Sequence, residues 1–278
     1  MGKTLCQRRA VMIVDFSRRT DPACEAGYER FKRQLAKHGE PNVLHFWTKN
    51  PLKLADLYGD AIDQLQQVGT TVCAQVTING YQPPVEQLGL GDRYMSTLLL
   101  LLEPAQIRLR FDPIIFGYTT QTHFKTCLYT AICHGISRIT VNFLIPKYQG
   151  VGKLLSQYNI PVEEGSLQRK VDTLGWIREQ TPLEIEIAVC AETSELYLQV
   201  PGVVKAACAD PEWFKSLGAD LSQENGYNSR KGCGCFYNAD WGQYPNQGGY
   251  VCPHKCLYCY AKHNVYAHKN VVTQEQLL

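Results

Sequence analysis

Apolar positions along this chain recur at two periods. The runs Val11–Phe16, Val43–Trp47, Thr71–Ile78, Ile107–Phe111, Arg138–Phe143 and Glu184–Val189 are short and rich in β-branched and aromatic residues, which predicts strands. Between them, Tyr28–His38, Leu54–Gln67, Asp92–Leu102, Gln121–His134 and Ser166–Glu179 carry apolar residues at helical spacing. Strand–helix repetition at this interval predicts parallel βαβ units and an α/β fold. Six or more such strands suit a complete or partial β/α (TIM-like) barrel. An open doubly wound sheet and an antiparallel sheet with one wet face are the competing arrangements.

Alternation within the strands favours the barrel. Val72, Ala74, Val76 and Ile78 share one face, and Cys73, Gln75, Thr77 and Asn79 the other. Arg108, Arg110 and Asp112 oppose Ile107, Leu109 and Phe111. Glu184, Glu186, Ala188, Cys190 and Glu192 oppose Ile185, Ile187 and Val189. A barrel strand packs its apolar face outward on helices and turns polar inside toward the C-terminal mouth, where barrel active sites lie. From Pro201 the periodicity breaks down. The expected organisation is a single domain: a barrel body over 10–200, an irregular Cys-containing excursion over 201–249, and a closing segment over 250–270. That last segment holds a strand at Tyr250–Val251, a cysteine motif and a short helix at Tyr260–Lys269, between a frayed Met1–Arg9 and a tail at Asn270–Leu278.

Composition narrows the classes. A chain of 278 residues, 45% hydrophobic, buries one large core. A net charge of +2 gives no general electrostatic case for nucleic acid or a membrane surface. The longest apolar run, Met95–Leu102, is far too short to span a bilayer. Twelve cysteines without a secretory signal read as thiols and metal ligands in a reducing compartment, so the expected location is cytoplasmic.

The chemistry concentrates in Cys252-Pro253-His254-Lys255-Cys256-Leu257-Tyr258-Cys259-Tyr260-Ala261, a C-x3-C-x2-C run. Three thiols this close bind a soft metal centre more readily than they pack as core. Three readings stand: structural thiols, a closed zinc site from Cys233, Cys235, Cys252 and Cys256, and an iron–sulfur cluster. Cys190, Cys208, Cys233 and Cys235 are candidates for a second metal site, an auxiliary cluster or a zinc, or else thiols lining the cup. Cys73 reads as an interior thiol, Cys127 and Cys133 as helix core, and Cys6 and Cys24 as ordinary. Arg110 and Asp112 must pair with each other or with neighbours such as Glu192, or bind a ligand, because unpaired charges on an inner face are costly. Asp21 and Pro22 read either as a helix cap and first turn or as part of a ligand site. Lys49 reads either as a solvated side chain or, since it ends a strand on the inward His45/Trp47 face, as part of the site, and Gln75, Thr77, Asn79 and Asn142 are candidates to line the cup. No hydrolase triad, phosphate loop or HExxH run is present.

The run C-P-x-x-C-x-Y-C-Y-A resembles the cluster motif of the radical S-adenosylmethionine (SAM) superfamily, C-x3-C-x-aromatic-C, with Tyr258 at the aromatic position. That superfamily carries the motif near the N-terminus; here it comes last, so the resemblance implies a circularly permuted barrel with Tyr250–Val251 as first strand and Val11–Phe16 as second. Ser17-Arg18-Arg19-Thr20-Asp21-Pro22 and Trp47-Thr48-Lys49-Asn50-Pro51 resemble turns of spore-photoproduct-lyase-like members, as do Gln75–Ile78 and Arg110–Ile115 their later strands. The ordered set S-R-R-T-D-P, F-W-T-K-N-P, N-G-Y, R-F-D-P-I-I, C-A-E, C-G-C and the terminal cysteine run resembles a family known only as domain of unknown function 1848.

The resemblance implies a [4Fe–4S] cluster on Cys252, Cys256 and Cys259, with SAM on its open iron. It implies SAM contacts from Thr20, Asp21, Lys49, Gln75, Arg110, Asp112 and Tyr258. The implied activity is reductive SAM cleavage and hydrogen abstraction from an unknown substrate, with a flavodoxin or ferredoxin as reductant. An iron–sulfur electron-transfer or metal-binding protein without SAM chemistry is the alternative, and a zinc-stapled binding module a third. The photolyase-like resemblance admits nucleic acid as a partner, which the charge does not support.

Overall fold

The computed structural model describes residues 12–18, 20–87, 91–147, 150–221, 235–236, 239–242 and 252–259. Its centre is an eight-stranded, all-parallel sheet. The strands are β1 (Ile13–Phe16), β2 (Val43–Thr48), β3 (Thr71–Thr77), β4 (Ile107–Ile114), β5 (Arg138–Phe143), β6 (Glu186–Val189), β7 (Val203–Lys205) and β8 (Ala239–Asp240). Their order is β7-β6-β5-β4-β3-β2-β1-β8. From β1 to β7 spatial order follows chain order, without the reversal that defines a doubly wound sheet. The α/β expectation holds, and the arrangement is barrel-like. All six expected strands form.

The helices are α1 (Glu25–His38), α2 (Pro51–Gln67), α3 (Met95–Leu98), α4 (Gln121–Cys133), α5 (Val151–Gln157), α6 (Leu167–Gln180), α7 (Ser194–Tyr197) and α8 (Pro211–Ser216). The main core lies between the apolar strand face (Val14, Phe16, Leu44, Phe46, Val72, Val76, Leu109, Phe111, Val141, Ile187) and buried residues of α1, α2, α4 and α6. In α2, Leu54, Tyr58, Ile62 and Leu65 recur at helical spacing and are buried. Tyr58 joins Phe16, Phe31 and Phe46 in a ring cluster with centroids 5.1–6.1 Å from Tyr58. Asn50 caps α2, its side chain accepting from the Lys53 N–H at 3.0 Å ahead of Pro51. Asn50→Ala is expected to lower stability by about 1 kcal/mol and Asn50→Ser to restore it, read as urea midpoints; equal midpoints for wild type and alanine would show that the cap contributes nothing.

Several expectations are corrected. The helix expected over Asp92–Leu102 shortens to α3, because Leu100 points into solvent and Pro104 forces Glu103 into an extended conformation (ψ 153°). Residues 201–249 are not irregular throughout. Val203 buries itself in the main core and pairs β7 to β6, and α8 follows. α8 lies against the inner strand face, where Trp213 and Phe214 pack on His45, Val43, Ile13 and Cys73. The Trp213 indole N–H donates to the Ala105 carbonyl at 2.9 Å, Arg108 lies 4.1 Å over its ring, and Arg108 Nη1 is 2.9 Å from Asp210 Oδ2. This helix plugs the end of the inner face from which the strands start.

β1 has both sides filled, by β2 and by β8, with Val14 opposite Ala239 and Asp15 opposite Asp240. The strand expected beside β1, Tyr250–Val251, lies outside the described residues, and the neighbour found is Ala239–Asp240. Trp241, next in the chain, explains the choice. It is buried against α1, with its ring 6.2 Å from Phe31, its N–H on the Asp15 carbonyl at 3.1 Å, and its carbonyl accepting from Arg30 Nε. Gly242 then passes so close to the turn after β1 that a Cβ there would fall 1.9 Å from Ser17 Oγ. The expected helix Tyr260–Lys269, the two terminal segments, Cys6, Arg19 and Cys233 also lie outside the described residues. Among the described residues no helix is long and apolar enough to cross a membrane.

Candidate metal centre

The described part of the cysteine run, Cys252–Cys259, sits at the carboxyl ends of the strands. Cys256, Leu257 and Tyr258 pack with Tyr81, Val85 and Ile115, from the loops after β3 and β4, and with Val151 and Leu155 of α5. The Leu257 N–H donates to the Val85 carbonyl at 3.0 Å. The chain turns between Cys252 and Cys256 through Lys255 at φ 48°, a left-handed conformation that costs a non-glycine residue roughly 1 kcal/mol.

Asp21 ties this loop to the sheet. Its backbone N–H lies 3.5 Å from Cys252 Sγ, and its Oδ2 makes an ion-pair contact of 2.7 Å with His254 Nε2. The same carboxylate accepts from Thr48 Oγ1 (2.9 and 3.1 Å), the Lys49 N–H (2.6 Å) and the Ala23 N–H (2.9 Å). Burial would raise the Asp21 pKa, but His254 and the Ala23 and Lys49 N–H donors outweigh it and hold the carboxyl below its usual range. The capping reading of Asp21 and Pro22 is corrected: α1 starts at Glu25, and its N-cap is Cys24, whose Sγ accepts from the Gly27 N–H. Thr20 is buried in the same turn, its Oγ1 3.2 Å from Ser17 Oγ.

The wall beside the loop is polar. Glu86, 2% exposed, receives Lys49 Nζ (2.9 Å), Asn79 Nδ2 (2.7 Å) and the Tyr258 hydroxyl, all on Oε1. Lys49 also lies 5.4 Å from the Tyr258 ring centroid. Asn79 continues the wall, its amide donating to the Asp112 carbonyl (2.9 Å) and its Oδ1 accepting the Asp112 N–H (2.8 Å). Arg110 pairs with Asp112 through Nη2 and lies 4.8 Å over Trp47. The Asp112 carboxylate also accepts from Asn142 at 3.3 Å. Glu192 is not a partner of Arg110, because Lys170 holds it at 2.8 Å. Glu86 escaped the sequence reading. Its only signal was an acidic residue in the loop after a strand, a pattern that exposed loops share.

Cys252 and Cys256 are buried, and burial first, then nearby anionic groups, raises both thiols; Cys252 is pushed up to about 12. Each of these thiols also feels Cys259. Buried thiols crowded this way stay protonated unless a cation compensates them, which is the donor chemistry of a thiolate-bound metal centre. Among the described residues no group of three or more His, Cys, Asp or Glu is closed around a common point that could hold a metal ion.

The second cysteine group is partly assembled. Cys190 Sγ and Cys208 Sγ are 3.3 Å apart, and the Cys208 N–H donates to Cys235 Sγ at 3.1 Å. Arg110 Nη1 reaches Cys208 Sγ at 3.3 Å, and Arg18 Nη1 reaches Cys235 Sγ at 3.9 Å. Gln75 is absorbed into the wall: it accepts from Arg110 at 3.0 Å and donates to the Cys208 carbonyl at 2.8 Å. Cys73 is buried inside as expected and Cys127 is core, but Cys133 is exposed, since α4 ends there with its side chain beyond the core face.

No curated protein matches this chain at significant similarity. A family model described as domain of unknown function (DUF1848) matches residues 15–261, from Asp15 in β1 through the cysteine run. With nearly the whole sheet and the candidate metal centre inside that match, the chain belongs to the DUF1848 family.

Proposed function

We propose that this chain is a radical SAM enzyme built on a circularly permuted, partial β/α barrel, with Cys252, Cys256 and Cys259 as ligands of a [4Fe–4S] cluster. The observation that carries the reading is the seat of the Cys252–Cys259 loop. It is held by Asp21 and by the Val85 carbonyl at the carboxyl ends of parallel strands, where barrel active sites lie. A late segment of the chain, β8, lies parallel beside β1, as a permutation requires, although it is Ala239–Asp240 and not the expected Tyr250–Val251 that takes this place. When bound, such a cluster supplies one electron to cleave the sulfonium of SAM and so start hydrogen abstraction from a substrate.

The chain's own residues divide the work. Asp21 and His254 fix the loop that carries the ligands, so Asp21 positions rather than contacts SAM. Lys49, Glu86 and Tyr258 form a charged and aromatic rim beside Cys256 and are the groups suited to SAM's carboxylate, amino group and adenine. Arg110 and Asp112 are placed further in, as candidates for substrate or for the far end of SAM. Thr20 and Gln75 act through the turn and the wall they complete.

Anaerobic reconstitution is expected to load about four iron and four sulfide per chain and to give an EPR signal perturbed by SAM. Reduction with dithionite, or with a flavodoxin or ferredoxin, should release 5′-deoxyadenosine, and Cys256→Ala should abolish that release. A cluster that never cleaves SAM would favour the electron-transfer alternative. A colourless protein holding zinc would overturn both.

A further inference from the structure

Sulfur gathers at one further point, on the inner face away from the Cys252–Cys259 loop. Cys190 follows β6 directly and Cys208 lies three residues past β7, its parallel neighbour. Backbone bonds from Cys190 N–H to Val141 and from Ala206 N–H to Val189, both 2.9 Å, fix the two strand ends. The two sulfurs stand 3.3 Å apart, so closing them to a disulfide needs a movement of about 1.3 Å. They differ in surroundings. Cys208 is 6% exposed and receives Arg110 Nη1 at 3.3 Å, whereas Cys190 is partly exposed. Cys235 is occupied differently, as acceptor of the Cys208 N–H and of Arg18.

We propose that Cys190 and Cys208 form a reversible, peroxide-sensitive dithiol, with Cys208 as the attacking sulfur and Cys190 as the resolving one. The Cys208 thiolate attacks one oxygen of hydrogen peroxide; the O–O bond breaks, giving Cys208–SOH and hydroxide. The Cys190 sulfur then attacks Cys208 Sγ, the S–OH bond breaks, and the proton from Cys190 leaves with that hydroxyl as water. In total two thiols lose two electrons and one peroxide becomes two waters, the second formed when the hydroxide takes up the proton that Cys208 released on ionising. The assignment of roles follows the guanidinium at Cys208, which stabilises a thiolate there. A small neutral oxidant suits a sulfur this enclosed. Oxidation also discharges the sulfur facing Arg110, whose other amino group pairs with Asp112, so the change reaches the wall of the candidate metal centre.

The test uses the full-length protein with its metal content measured, treated with hydrogen peroxide, quenched with N-ethylmaleimide and mapped by peptide mass spectrometry. A Cys190–Cys208 cross-linked peptide is expected, reversed by dithiothreitol. In Cys190→Ser, Cys208 should be trapped as a dimedone adduct. The wild-type map alone decides if a variant fails to fold. Unmodified alkylation of both residues after peroxide would overturn the proposal, as would a Cys208–Cys235 link. So would an equivalent of zinc or iron that is lost in Cys208→Ser and retained in Cys256→Ala. None of these outcomes depends on SAM cleavage, so the dithiol and the radical reading fail separately.

Discussion

Asp21→Ala is expected to destabilise the protein by about 3–5 kcal/mol, since it strands three buried donors at about 1–3 kcal/mol each. The alanine leaves Thr48 Oγ1, the Lys49 and Ala23 N–H groups and His254 Nε2 without the carboxylate on which they converge. It also cuts the side-chain link between the end of β2 and the cysteine loop. Asp21→Asn should be little better, since an amide presents a donor to at least one of these donors. Urea unfolding measures the stability. Alkylation of Cys252, Cys256 and Cys259 measures the loop, and should accelerate in the variant by far more than alkylation of exposed Cys133. A midpoint unchanged from wild type, with unchanged alkylation, would remove Asp21 from its position as the clamp. The sign of its pH dependence also follows. Because the folded pKa is depressed, Asp21 contributes its full stabilisation above the unfolded value near 3.9 and loses it as pH falls through the folded value.

The parts of this fold that local chemistry dictates are legible in the sequence alone. Period-two apolar alternation marks β3 and β5 to within a residue, because their apolar faces are buried and slippage would expose the core. The inward set Gln75, Arg110, Asp112 and Cys190 was readable for the same reason. What escaped depends on partners distant in sequence. The three residues of β7 and two of β8 carry no periodicity, and the sheet edge recruits them. α8 is too short to show a helical stripe, yet its Trp213 and Phe214 fill the inner face. Glu86 gains meaning only when Lys49, Asn79 and Tyr258 arrive from three other segments. The cysteine run stood out in the sequence by its spacing, but its tie to Asp21 was not readable, since that contact spans nearly the whole chain.

Acid should weaken this protein well above the carboxylate range, with His45 as the cause. His45 is fully buried under Trp47, Trp213 and Phe214, with ring centroids 5.2–5.6 Å away. Its Nδ1 is 2.8 Å from Asp15 Oδ1, and its Nε2 is 3.2 Å from Gln75 Nε2. The Gln75 amide cannot flip freely, because its oxygen accepts from Arg110 and its nitrogen donates to the Cys208 carbonyl. His45 Nε2 therefore faces a donor and must be an acceptor, so the ring is neutral, with its proton on Nδ1 toward Asp15. Burial, only partly opposed by Asp15, lowers the His45 pKa below 6.5. The unfolded chain then binds one proton more than the folded chain as pH falls below about 6.5. Stability should drop by up to about 1.4 kcal/mol per pH unit until the folded pKa is reached. The Asp15 pKa is also depressed: burial opposes ionisation, but Arg18 and His45 outweigh it, so its contribution is lost only at lower pH. His123 acts in the same direction as His45 but is half-buried and more screened. Urea midpoints between pH 5 and 8 for wild type and His45→Gln separate these effects. The glutamine variant should start less stable at pH 7.5 and lose less on acidification. Parallel pH profiles for the two proteins would show that His45 does not carry the acid response. The same neutral ring braces Gln75, and through it Arg110 and Cys208, so acid that protonates His45 loosens the inner wall before it reaches the carboxylates.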